Sequence, residues 1–438
     1  MAHATHHFTS FLKAPLLTLA AFAAFGLSAK SQDMISNPLS RLGYGTSQET
    51  VTTAWRSMGG VGIGLNDPKV INLKNPAAFG GTDSLSFLID AGVSVNMGIF
   101  DDGTASRTTF LGGLDYLALQ FPLYKNIIGF SAGIKPFSSA GYGLVTSTPI
   151  GSDGRAMMLQ TFTGSGTLQK AYAGLGFRLW DRLFVGASAN YLFGSLTHTV
   201  NTRPTSTVLS ESLISNGIRL SDWSVDVGLQ YRAALRNKEE DYMIFGLTYT
   251  PSMPLRPRFT EIETTNINDP LRQTINQRVL EAETALPHEF GIGWSWNRPN
   301  KYALAADLSY SMWSKVPNVF GGDGTDLSDV LKAALGFEFV PDAFSRDYGK
   351  VMKYRFGLNY SNGYIGYTGG GKTHNIGAAF GLGMPVNIFG GELGSVVNLG
   401  IDYTHSFITG GLPVKNDILR LSLSLTFNET WFRELKIY

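Results

Sequence analysis

Residues 366–373 read GYTGGGKT, the G-x-x-x-x-G-K-[ST] pattern whose backbone amides and lysine cradle a phosphate in nucleotide-binding loops. That chemistry requires a strand before the loop and a helix N-terminus after it. The residues that follow, HNIGAAFGLGMPV, carry a strand pattern instead. Nucleotide binding is therefore not expected. After residue 31 the chain has four histidines, His198, His288, His374 and His405, and no two stand at zinc-ligand spacing. It has no cysteine, which removes thiolate metal sites, cysteine nucleophiles, disulfides and lipid-anchored cysteines. GSGT at 164–167 lacks the order of the G-x-S-x-G nucleophile motif. No catalytic residue, metal site or cofactor is expected, and the chain reads as a non-enzyme.

Charge carries more information. Only 16% of the 438 residues are charged and the net charge is +1, while aromatics reach 12%. A broad nucleic-acid-binding surface and a disordered chain are both excluded by that balance. Seven charges fall inside stretches that are otherwise apolar at every second residue: Asp226, Arg232, Asp307, Glu338, Arg355, Asp402 and Arg420. They lie on the polar side of those stretches. One role for them is a polar track, or contact with an N-terminal plug through Arg56 or Asp67. The favoured role is filling a polar lumen as ion pairs that neutralise one another, because barrel interiors are polar and lipid-facing charge is costly.

The elements that must hold these charges are strands. In 418–427 the residues Leu419, Leu421, Leu423, Leu425 and Phe427 share one face, against Arg420, Ser422, Ser424 and Thr426. The same period of two recurs in 223–232, 302–312 and 354–360. Fourteen segments follow it: 84–97, 107–123, 127–140, 160–179, 183–199, 222–234, 242–254, 285–297, 301–313, 331–341, 351–364, 373–389, 394–407 and 416–427. Most exceed the 9–11 tilted residues that cross a bilayer, and an even number suits a single-chain outer-membrane barrel. Short connections (124–126, 181–182, 236–241, 298–300, 390–394, with a longer 342–350) alternate with longer ones (101–106, 141–159, 200–221, 255–284, 314–330, 365–372, 408–415). Barrels keep short turns in the periplasm and long loops outside the cell, which orients the chain. A β-sandwich with a dry core would use the same periodicity. The loop alternation, the aromatic content and the start of the chain favour the barrel.

That start contains APLLTLAAFAAFGLSA at 14–29, sixteen uncharged residues, which suits a signal-peptide core and is short for a helical span. Ala29 and Ser31 occupy the −3 and −1 positions for cleavage before Gln32, with a cut after Ala29 as the second choice. Residues 1–31 are read as a signal peptide and the mature protein as exported to a Gram-negative-type outer membrane, in contact with its lipids. Residues 32–83 are rich in Gly, Asn and Ser, yet Met58, Val61, Ile63, Leu65, Val70, Ile71 and Leu73 are too many apolar residues for a solvated arm. A plug in the lumen is expected. Residues 428–438, NETWFRELKIY, continue past the last strand as a periplasmic tail available to a partner.

Two stretches carry a family likeness. RSMGGVGIGLND at 56–67 followed by NPAAF at 75–79 resembles the N-terminal hatch of the FadL/TodX family of outer-membrane transporters. ALPHEFGIGWSWNRPNKYALAADLSYSMWS at 285–314 resembles that family's hairpin of strands eight and nine, and 332–342 and 353–365 are similar to its next strands. The resemblance implies a fourteen-stranded all-β barrel over 84–427 with a hatch over 32–83. It places Arg56, Met58, Gly59, Gly60, Gly62, Gly64, Asn66, Asp67, Asn75 and Pro76 in the hatch. It implies hatch-gated passage of hydrophobic small molecules, fatty-acid-like or aromatic, leaving sideways at a kinked third strand, where Pro136 is the candidate kink. The resemblance extends also to non-transporting barrels that serve as partner or scaffold subunits of secretion and assembly complexes with other outer-membrane or periplasmic proteins.

Overall fold

The computed structural model describes residues 38–430 except 42, 102–105, 151–155, 206–209, 236–240, 268–271, 319–324, 368–370, 387–393 and 411–413. The expected signal peptide (1–31), residues 32–37 and residues 431–438 of the expected tail lie outside the described residues. The wall consists of fourteen antiparallel strands. They are β1 (Ser86–Asp101), β2 (Ser106–Tyr124), β3 (Ile128–Ile150), β4 (Ala156–Leu179), β5 (Leu183–Pro204) and β6 (Ser212–Ala234). Then come β7 (Tyr242–Thr250, resuming at Arg258–Thr265), β8 (Thr274–Glu281, resuming at Glu289–Arg298) and β9 (Tyr302–Ser311). The wall ends with β10 (Val330–Phe339), β11 (Lys353–Tyr367), β12 (Gly371–Val386), β13 (Ser395–Ile408) and β14 (Lys415–Thr430). Each pairs with its neighbour in sequence, and β14 pairs with β1 along Ser86–Asp101, which closes the barrel.

The expected alternation faces lipid. On β13 Leu399, Ile401 and Tyr403 are exposed, and on β14 so are Leu421 and Leu423, while Asn398, Ser422, Ser424 and Thr426 are buried toward the interior. Such an outward apolar band with a polar interior is the pattern of an outer-membrane barrel. Gly366 and Tyr367 end β11 and Gly371–Thr373 open β12, so a strand follows the GYTGGGKT stretch where a phosphate loop needs a helix.

Three of the longest outer connections turn out to be mostly strand. β3 continues to Ile150, β4 begins at Ala156, β5 runs to Pro204, β6 starts at Ser212, and 258–265 pairs with 274–281. The alternation fades there because both faces are wet above the lipid, while the ladder persists through pairing alone. β3 to β8 therefore rise above the rest of the wall as a crest.

One seam is incomplete. β2 and β3 pair only from Leu117–Ile134 down to Tyr124–Ile128. Above Ile134 the β3 edge is free of β2 among the described residues, and its register against β4 shifts between Pro136 and Ser138. The two-residue strand Thr46–Ser47 pairs there with Ser138–Ser139.

Candidate functional site: the filled lumen

The glycines of the wall show where the N-terminal segment runs. A Cβ on Gly186 would strike the Pro76 carbonyl, one on Gly228 the Asn75 side chain, and one on Gly246 the Ile63 carbonyl. On Gly293 it would strike the Gly64 amide, on Gly336 the Met58 carbonyl, and on Gly357 the Gly59 amide. These glycines belong to β5, β6, β7, β8, β10 and β11, so the backbone of 58–76 lies against the inner wall around much of its circumference. Only hydrogen side chains admit so close an approach.

Polar contacts fix the segment at defined points. Asp307 on β9 accepts from the Gly62 and Ile63 amides at 2.7 and 2.9 Å, with the Lys74 ammonium 3.7 Å away. Ser295 on β8 donates to the Gly64 carbonyl (2.6 Å), and Gln230 on β6 donates to the carbonyls of Ile63 and Leu65 (2.9 and 3.1 Å). Asn66 donates to Gln230 at 3.0 Å. Asn75 accepts from the Ala77 amide at 3.0 Å, capping the turn that starts at Pro76, and donates to the Ile63 carbonyl at 2.9 Å. Lys74 donates to the Gly60 carbonyl. Met58, Val61 and Leu65 pack with Ala305 and Ala334 of the wall.

Arg56 is buried and paired with Asp115 on β2. Burial alone would push its guanidinium pKa down, and the charges of Asp115, Asp402 and Glu49 more than reverse this, leaving it raised. Asp67 lies 3.5 Å from Lys353 on β11.

Six of the seven expected lumen charges stand beside an opposite charge or the segment's backbone. Asp307 binds the segment's backbone. Arg355 donates to Glu338 at 2.7 Å and to Asn398 at 2.8 Å, with Lys353 3.7 Å from Glu338. Asp402 stands 3.8 Å from Arg420. Asp226 stands 3.6 Å from Lys135, which lies over the Tyr172 ring and donates to the Leu73 carbonyl at 3.3 Å. Arg232 lies over the Tyr242 ring, 4.4 Å from its centroid. Asp115, Lys135 and Lys353 are charged contacts that sequence reasoning passed over. Lys135 and Lys353 lie on the polar side of their strands, the signal that singled out the other seven, whereas Asp115 is in step with Leu117 and Leu119 and sits at the bulge opposite Gly92 and Val93.

Above Arg56 and Lys74 remains a cavity of about 310 Å³. Its lining includes Glu49, Arg56, Lys74, Asp307, Asp402 and Arg420, together with Tyr44, Trp313 and Tyr364 toward the outer end. Trp313 and Tyr364 stack at 4.8 Å, and the Tyr364 hydroxyl donates to the Gly45 carbonyl at 2.7 Å. Among the described residues no group of His, Asp and Glu is placed to hold a metal ion.

A sequence profile of one family, BamG, matches residues 12–438. The chain belongs to the BamG family. No curated protein sequence matches it. Among solved structures, this BamG-family barrel is similar to the toluene transporter TbuX of Ralstonia pickettii (TM-score 0.56, 14% identity, 88% of this chain and 99% of that one). It is also similar to the toluene transporter TodX of P. putida (TM-score 0.55, 13% identity, 88% and 100%). A FadL homologue of Pseudomonas aeruginosa gives TM-score 0.55, 14% identity, 87% and 99%. At such identities the likeness establishes the fold: a FadL/TodX-type outer-membrane barrel.

Proposed function

We propose that this protein is a non-transporting partner subunit of a larger outer-membrane complex, with residues 32–83 as a hatch that seals its lumen. The carrying observation is the character of the space left inside. Eight charged side chains line the cavity, and the segment beneath it is bonded to strands on several sides of the wall. The outer end, with Tyr44, Phe137, Trp313, Tyr364 and Ile365, is apolar and aromatic as sites for apolar ligands are, whereas the inner end is charged. A hydrocarbon moving on past Arg56, Lys74, Asp307, Asp402 and Arg420 would strip water from those charges without replacing their hydrogen bonds. In this reading residues 1–31 are the signal peptide and 431–438 a periplasmic tail open to partners; the barrel, expected over 84–427, extends to Thr430 because Asn428, Glu429 and Thr430 pair with Leu88, Phe87 and Ser86.

A second reading, passage of fatty-acid-like or aromatic molecules, is favoured by the interrupted β2–β3 seam at Pro136, which gives a lateral way out of the wall. The two separate in one experiment. The protein is extracted from outer membranes in mild detergent, and what migrates with it is identified by mass spectrometry. Stoichiometric proteins without a bound small molecule are the expected result. A lone barrel that retains an apolar ligand refutes the subunit reading in favour of passage.

A further inference from the structure

The crest formed by β3 to β8 has two edges, and they differ. On the β3 side the edge is shielded: Thr46–Ser47 pairs with Ser138–Ser139, and Pro149 interrupts the donors further up. On the β8 side the edge is Thr274–Glu281, TINQRVLE. It pairs with Arg258–Thr265 in an unbroken register, and among the described residues no strand pairs with its other side. All eight residues are exposed, with Ile275 at 62%, Val279 at 51% and Leu280 at 62%. The strand contains no Pro and no bulge, two of the devices that blunt an edge, and its charges, Arg278 and Glu281, are of opposite sign.

We propose that Thr274–Glu281 is a docking edge, onto which an extended segment of a partner protein at the cell surface adds as a further β-strand. This rests on the subunit reading and names where and how the partner binds. The unused amides and carbonyls of a straight eight-residue edge are complementary to another extended backbone, and main-chain bonds supply the affinity in this mode. Ile275 and Val279 share one face and Leu280 lies on the other, so a segment with β-branched or aromatic residues at alternate positions fits beside them. A second copy of this chain does not fit. Two copies in one membrane have the same orientation, so their β8 strands would run parallel about a two-fold axis along the membrane normal. That would set Arg278 beside Arg278 and Glu281 beside Glu281.

The test uses the complex purified in mild detergent and the same barrel after its partner is stripped. Hydrogen exchange is followed by mass spectrometry across 274–281. In the stripped barrel the amides turned away from 258–265 exchange freely, and in the complex they slow by at least about ten-fold. Equal exchange in both states overturns the proposal. Gln277→Pro and Arg278→Pro are made separately, since one of these neighbouring amides faces outward. The outward one releases the partner while the barrel keeps its folded migration on unboiled gels, and Thr148→Pro on the opposite edge leaves the partner bound. Retention of the partner by both edge variants overturns the proposal. If the proline variants fail to fold, Gln277→Cys carries a benzophenone cross-linker in this cysteine-free chain. It cross-links to the stoichiometric partner, and absence of that product overturns the docking edge. Should the wild-type barrel purify without any stoichiometric protein, the subunit reading itself fails. A partner held elsewhere removes only the edge.

Discussion

Asp307→Ala is the sharpest test of how the lumen segment is held. The carboxylate accepts two buried amides, Gly62 at 2.7 Å and Ile63 at 2.9 Å, from a position 4% exposed. Gly62 and Ile63 are buried, and each donor orphaned there costs about 1–3 kcal/mol. The loss is thus roughly 2–6 kcal/mol, reduced somewhat because a buried carboxylate no longer has to be desolvated. Lys74 is left its bond to Gly60 and a longer-range partner in Glu49 at 3.7 Å. The wall ladder does not depend on these bonds, so the effect falls on the segment. Even the lower bound raises its opening equilibrium about 30-fold, which hydrogen exchange over residues 60–66 reads directly in purified barrel. Asp307→Asn keeps one carbonyl oxygen for the amides and falls between wild type and Ala. Exchange over 60–66 within about two-fold of wild type in the Ala variant would refute the view that Asp307 pins the segment.

Gly59→Ala places a Cβ 2.6 Å from the Leu358 carbonyl and 2.8 Å from the Leu335 carbonyl, at φ +73°. The left-handed backbone alone costs about 1–2 kcal/mol, so trypsin cleaves after Arg56 measurably faster than in wild type. Arg355→Ala leaves half-buried Glu338 with Lys353 alone at 3.7 Å, and losing a hydrogen bond to a charged group costs about 1.5–3 kcal/mol. Its check is a lowered urea midpoint for the folded, fast-migrating form on unboiled gels. N-terminal sequencing of protein from outer membranes is expected to begin at Gln32.

The wall was legible because lipid imposes a simple rule. Leu399, Ile401 and Tyr403 face hydrocarbon while Asn398 and Asp402 face inward, and that contrast survives in one dimension. Above the lipid the rule lapses. Thr146, Ser147 and Thr148 continue β3 although nothing in their alternation says so, and only the ladder to β4 keeps them extended. The interior was legible in part. Asp307 and Arg355 could be read as inward charges, but their partners at Gly62 and Asn398 lie far away in sequence, and no local pattern encodes them. The inner-wall glycines were visible as glycines without their purpose, which appears only once Pro76, Ile63 and Gly59 are seen lying across them.

The β2–β3 seam bears on the mechanics of the whole wall. The junction that completes the cylinder in sequence, β14 with β1, is fastened along all sixteen residues of β1. The weaker joint lies one hairpin later, where β3 holds β2 only at the periplasmic end. Mechanically the protein is a long sheet running from β3 round to β2, rolled up and stitched at the bottom, with Thr46–Ser47 as a patch over part of the opening. Lateral tension in the outer leaflet would concentrate there. The same stretch of chain that occupies the lumen therefore also sets how far the cylinder can be pulled apart.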